Sequence, residues 1–186
     1  MPSIWVMVVI AVVVLVILWV ISGYNKLVRL RNKVEEAFST MDVYLKKRYD
    51  LIPNLVETIK GYTKHESTTL ENVVAARNLA VSAKGMDERI AGEQKVQAMM
   101  GPLYAISESY PELKADVHYS ELMSQLKGIE GEITNARKFY NAITLNFNNA
   151  IEVFPRNILA GLFHFSRKPL YEIPDAAQRE NVKVQF

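Results

Sequence analysis

"KKRYDLIPNLVETIKGY", Lys46 to Tyr62, has the apolar spacing of a helix yet carries a proline in its middle. Whether Pro53 ends one helix or bends a longer one decides how far a helix extends beyond the N-terminal part of the chain. Val34, Phe38, Met41, Leu45, Arg48, Ile52, Leu55, Ile59 and Tyr62 step by 4, 3, 4, 3 without a slip, and all but Arg48 are apolar. That is the seam of coiled-coil packing. It keeps its phase across Pro53, which a loop has no reason to do. A proline inside a helix removes the hydrogen bond to the carbonyl four residues earlier, here Tyr49, at about 3 kcal/mol unless the helix bends. The seam predicts one kinked helix over Leu27 to Tyr62. The competing reading starts a new helix capped by Asp50, with Pro53 in its first turn.

Upstream lies "IWVMVVIAVVVLVILWVI", Ile4 to Ile21, uncharged and apolar throughout. Its length at 1.5 Å rise per residue is about 27 Å, close to one hydrocarbon core. Trp5 and Trp19, near its ends, suit the two membrane interfaces. The run reads as a transmembrane helix. A cleaved signal peptide would need a basic start, a shorter apolar run and an Ala-x-Ala site. Lys26, Arg29, Arg31 and Lys33 follow the span and no Lys or Arg precedes it, so the N-terminus is expected outside and the rest of the chain in the cytoplasm.

Downstream, Leu122, Leu126, Ile129, Ile133, Ala136, Tyr140, Ile143, Phe147, Ala150 and Phe154 repeat the 4, 3 spacing until Pro155 closes the helix. Two shorter helices lie between the seams. The first opens on Thr68 and Glu71 at capping-box spacing and runs to Lys84, before Gly85. Asp87 can cap the second, which reaches Ser107 with a bend at Gly101 and Pro102. Short connections make consecutive helices antiparallel. The expected fold is therefore all-α: a transmembrane anchor over 1–25, an antiparallel four-helix bundle of two long and two short helices over 26–155, and a C-terminal apolar segment and tail over 156–186.

The chain offers little for chemistry. Its 186 residues contain no cysteine, which excludes disulfides, thiolate metal sites, a Cys nucleophile and a lipid anchor on an N-terminal Cys. His65, His118 and His164 are scattered, and Glu130 and Glu132 point to different sides of a helix. No phosphate loop or nucleophile elbow is visible. A net charge of +2 is too small to argue for nucleic acid. No catalytic, cofactor-binding or metal-binding residues are expected.

Arg48 breaks the first seam, and Glu130, Thr134, Arg137, Asn141, Thr144 and Asn148 form a polar row beside the second. Arg48, Glu130, Arg137 and Asn141 are candidates for a polar network that fixes register. Alternatively, the row is a solvated face and Arg48 snorkels outward. The long helices span about 54 and 66 Å and the short ones about 25 to 32 Å, so the latter cannot cover both seams. A homo-oligomer joined through Val34, Phe38, Met41, Ile143 and Phe147 follows as an expectation. Chain direction returns "ILAGLFHF", Ile158 to Phe165, to the membrane side, with Arg167 and Lys168 after it. Leu162, Phe163 and Phe165 are thus candidates for membrane contact. The same short apolar run equally fits packing at the bundle end.

"YNKLVRLRNKV", "LKKRYDLIPNLVETIKGYTKHE", "VVAARNLA", "YPELKA", "ARKFYNAI" and "FNNAIEVFPRNILAGLFHF" together resemble the LemA family of bacterial single-pass membrane proteins, in order and spacing over nearly the whole chain. The resemblance implies an N-terminal transmembrane helix in the inner membrane, a four-helix bundle, and no established enzymatic activity. Some family members are lipoproteins with a Cys near the "YN" motif, where this chain has Ser22 and Gly23. The expected function is that of a non-catalytic, self-associating membrane scaffold that organises partners or the bilayer. The alternative is an adaptor for a membrane enzyme such as a protease. Membrane lipid, further copies of the chain and a membrane protein are the expected partners.

Overall fold

The computed structural model describes residues 3–63 and 65–171, and all regular structure among them is helical. Six helices follow in order: α1 Ile4–Lys60, α2 Ser67–Ser82, α3 Met86–Ser109, α4 Pro111–Ala115, α5 Val117–Glu152 and α6 Arg156–Leu162. They form two compact units, one built on residues 3–39 and 138–170, the other on 40–137 and Tyr171. Helices α1 and α5 each contribute to both.

The apolar run and the first seam are one helix of 57 residues, about 85 Å long at 1.5 Å per residue. It starts far upstream of Leu27, with no break at Ser22 or Gly23. No proline interrupts the step, and Lys26, Leu27, Arg29 and Leu30 are all good helix formers. Pro53 lies inside α1, as the unbroken phase of the seam requires. The carbonyl of Tyr49, which proline deprives of its helical donor, accepts a hydrogen bond from Arg77 Nε at 3.0 Å. A side chain of α2 thus satisfies the acceptor that the proline orphans.

The seams are core. Val34, Met41 and Phe147 are completely buried within the single chain, and Phe38 and Ile143 are half-buried. Val34, Met41 and Phe147 therefore have no surface left for the subunit contact expected of them, whereas Phe38 and Ile143 keep part of theirs. A comparison of helix lengths leaves the seam of the first unit uncovered because it omits the segment after α5. In that unit Phe165 stacks edge-on to Phe147, with centroids 6.5 Å apart, and Phe38 meets Tyr140 at 5.6 Å.

In the second unit, Arg48 pairs with Glu130 and Tyr62 with Asp116, so α1 and α5 run in opposite directions there. Asp42 pairs with Arg89 and Tyr49 with Glu93, so α1 and α3 run the same way. Helices α2 and α3 touch at backbone distance: a Cβ on Gly92 would lie 2.8 Å from the Cα of Ala80. Only glycine fits there.

Several helix ends differ from expectation; Asp87, for one, lies inside the first turn of α3 rather than capping it. The last long helix divides at Asp116, whose backbone is extended and whose Oδ1 accepts the Tyr119 N–H at 2.8 Å, capping α5. Tyr62 donates to the other carboxylate oxygen at 2.7 Å and fastens the end of α1 to the start of α5. Phe154 lies beyond α5 and is 75% exposed rather than part of the seam. The capping box at Thr68 and Glu71 does not form: α2 begins one residue earlier, at Ser67.

Replacing Arg77 by Ala strands the Tyr49 carbonyl and should cost about 1–3 kcal/mol in urea unfolding. In a Pro53→Ala background an N–H returns at position 53, and the same substitution should cost less. An equal cost in both backgrounds would mean that Arg77 stabilises the fold by some route other than this carbonyl.

Candidate functional site

The seam position of Arg48 points its guanidinium into the helix packing of the second unit, and its partners arrive from α3 and α5. Nη2 ion-pairs with Glu93, while Nη1 donates to Glu130 Oε1 at 2.8 Å and to Gln97 Oε1 at 3.3 Å. Arg137 Nη2 reaches the same Glu93 oxygen at 2.5 Å, and Tyr49 donates its hydroxyl hydrogen to Glu93 Oε2 at 2.6 Å. Arg48 and Glu93 are both fully buried. Two arginines balance two glutamates. The balance matters because an unpaired buried charge costs several kcal/mol.

The groups shape one another's ionisation. Burial alone would lower the Arg48 pKa, but Glu93, then Glu130, outweigh it and hold the guanidinium charged. Burial, reinforced by the Glu93 carboxylate, raises the Tyr49 hydroxyl far above its ordinary range. Tyr171 is raised by the same two causes in the same order, and its ring lies 4.2 Å from the Arg137 guanidinium. Glu93 is sealed from solvent, so the arrangement suits fixing helix register better than exchanging protons with water.

Of the residues singled out in sequence, Arg48, Glu130 and Arg137 come together here, while Asn141 lies half-buried in the other unit. Glu93 is the member that sequence reading misses. It had the same signal as Arg48: Ile90, Glu93, Val96, Met100 and Leu103 form a buried stripe on α3 with one charged member. Tyr171 had none. Among the described residues no group of His, Asp and Glu is arranged to hold a metal.

A second site lies in the other unit, directly after the apolar run of α1. Gly23 meets Leu159 of α6 so closely that a Cβ would fall 2.5 Å from its Cδ1. The Tyr24 ring packs on Phe163 at 4.7 Å and on Phe165 at 5.9 Å, and the Arg31 guanidinium sits 5.7 Å from the Phe165 ring. Beyond α6, Asn148 makes two hydrogen bonds with the backbone of Lys168, both at 2.9 Å, and Tyr140 donates to the Pro169 carbonyl at 2.6 Å. Buried Asn148, part of the polar row, thus holds the returning segment in place. Helix α6 turns Ile158, Leu162 and part of Phe163 outward, beside exposed Val153 and Phe154. Phe165 faces inward on the aromatic cluster. Trp5 and Trp19 stand exposed along α1.

Described residues whose regular structure is all helical, with a long apolar run at the start of α1 that the protein leaves unburied, define a membrane-associated helical protein. The LemA family profile matches residues 37–186, and the chain belongs to the LemA family. It is 29% identical over 138 residues to Protein LemA of Metamycoplasma hominis, covering 73% of this chain and 63% of that relative. It is 24% identical over 200 residues to Magnetosome protein MamQ 2 of Paramagnetospirillum magneticum, covering 94% of this chain and 74% of the relative. Magnetosome protein MamQ of Magnetospirillum gryphiswaldense is 24% identical over 170 residues, covering 77% of this chain and 62% of its own length.

Removing one member of the buried network leaves its partners uncompensated. Glu93→Ala should therefore destabilise the protein by about 3–5 kcal/mol in denaturant unfolding, far more than Glu121→Ala on the exposed side of α5. A raised tyrosine pKa stabilises the fold fully below the ordinary value of 10.0 and loses that contribution as pH climbs toward the folded-state value. The titration of Tyr49 and Tyr171 should leave stability independent of pH near neutrality and lower it above pH 10.0, with a shallower fall in Tyr49→Phe. An identical alkaline slope in that variant would contradict the assignment.

Proposed function

We propose that the protein is a membrane-anchored helical scaffold that self-associates and organises the bilayer or partners at its surface. The observation that carries this reading is α6: it is fastened to α1 two residues after the apolar run ends, and it turns Ile158 and Leu162 away from the protein. With α1 spanning the bilayer, those side chains lie at the headgroup boundary. Each subunit then grips the membrane twice. Membership of the LemA family and similarity to relatives named as magnetosome proteins support a membrane role. The cations after the span and none before it support a cytoplasmic helical body in the inner membrane. The buried charge network suits a scaffold, because it commits the helices to one register. Self-association would use apolar side chains that the fold leaves outside, such as Phe139 and Leu145 on α5.

The adaptor reading is favoured by one feature, an open groove of about 500 Å³ lined by Tyr104, Met123, Lys127 and Glu130 among others. It could receive a segment of a membrane enzyme.

The absence of native cysteine permits single-cysteine tests in the full chain. A fluorophore on Leu162→Cys should be quenched by brominated lipid. One on Ser39→Cys, about 27 Å past Ile21 along α1, should not. Phe139→Cys should form disulfide-linked pairs in membranes, and Ser39→Cys should react with an impermeant maleimide only after spheroplasts are lysed. Unquenched Leu162→Cys removes bilayer contact by α6. Stoichiometric recovery of another protein without self-crosslinking favours the adaptor.

A further inference from the structure

Immediately after the apolar run, α1 presents two unlike faces. One is occupied: Gly23 lies against Leu159, Tyr24 against Phe163, and Leu27 is fully buried. The other is open. Ser22, Asn25, Lys26 and Arg29 are all exposed and, with Leu18 and Ile21 above them, line one hollow of about 570 Å³. At 100° per residue the four polar side chains fall within an arc of about 100°.

Their depth is set by the helix. Ser22, Asn25, Lys26 and Arg29 follow Ile21 by about 1.5, 6, 7.5 and 12 Å along the axis. The headgroup layer on each side of a bilayer is about 5–8 Å deep. Helical side chains lean toward the helix N-terminus, here toward the apolar run, so Lys26 and Arg29 reach back into that layer. No acid on the same helix opposes the charge, since α1 has no acidic residue before Glu35. Arg31, on the opposite side of the helix, is taken up by the Phe165 ring.

We infer that this face binds the phosphate headgroup of an anionic phospholipid. Lys26 and Arg29 supply charge, with the guanidinium able to hold two phosphate oxygens at once. The Ser22 hydroxyl and the Asn25 amide donate further hydrogen bonds, and Leu18 and Ile21 receive the first acyl carbons. The inference rests on α1 spanning the bilayer. It gives the two faces separate tasks, since α6 offers the membrane apolar side chains and this face selects the lipid.

The test uses the full chain in phosphatidylcholine nanodiscs carrying spin-labelled phosphatidylglycerol or spin-labelled phosphatidylcholine, with the motionally restricted fraction read by electron paramagnetic resonance. Phosphatidylglycerol should be preferred by about fivefold, and the preference should weaken with salt. Lys26→Gln combined with Arg29→Gln should bring the ratio close to one. Lys33→Gln, on the same stripe but about 18 Å past Ile21, should leave it unchanged. Equal restriction of both lipids by the wild-type chain, or a preference that survives the double substitution, overturns the site. Displacement of the labelled lipid by inorganic phosphate, beyond that caused by chloride at equal ionic strength, would reassign the face to free phosphate. A chain that does not enter the discs at all removes the spanning reading, and this site with it.

Discussion

The second unit depends on the burial of Arg48. A guanidinium with no exposed surface is tolerable only where carboxylates meet it, and Glu93 and Glu130 come from two different helices to do so. Sliding α3 or α5 by one turn along α1 would separate the charges by about 5.4 Å and leave them buried without partners. Apolar packing alone tolerates such slips far better, because one leucine replaces another in a similar hole. The charge pair is therefore the constraint that selects one register from several of similar hydrophobic energy.

Pro53 shows the same logic in the backbone. A helix interior accepts proline when the freed carbonyl finds another donor, and Arg77 supplies one at 3.0 Å. Helix α2 is thereby tied to α1 at a point that no apolar contact could specify. Gly92 does the comparable task between α2 and α3, where only the absence of a side chain permits the approach to Ala80.

Much of this was legible in the residue order. The unbroken phase of the seam identified the helix through Pro53, while the charged residue in that seam left a buried network and an outward-reaching side chain equally open. What stayed hidden were features set by neighbours distant in sequence. Glu93 stands as a lone charge in the apolar stripe of α3, but that it meets Arg48 is settled only by how α3 packs on α1. Asp116 carries only a weak penalty inside a helix, and its capping of Tyr119 becomes decisive once Tyr62 holds its other oxygen. Three of the residues assigned to a subunit contact, Val34, Met41 and Phe147, are fully buried for a related reason. Their apolar surface was real, but the segment after α5 folds back over part of it, and only the buried amide of Asn148 hints at that return.

A lone helix in a bilayer can roll about its own axis at almost no energetic cost. Locking α6 against Gly23 and Tyr24 hangs an arm on it: where α1 spans the bilayer as proposed, a roll must drag Ile158 and Leu162 along with it, and a tilt must change their depth relative to Lys26 and Arg29. The first unit then behaves as a keel with an outrigger. On that reading, local thinning or bending of the bilayer, which shifts the depth of one support relative to the other, would be converted into torque on α1.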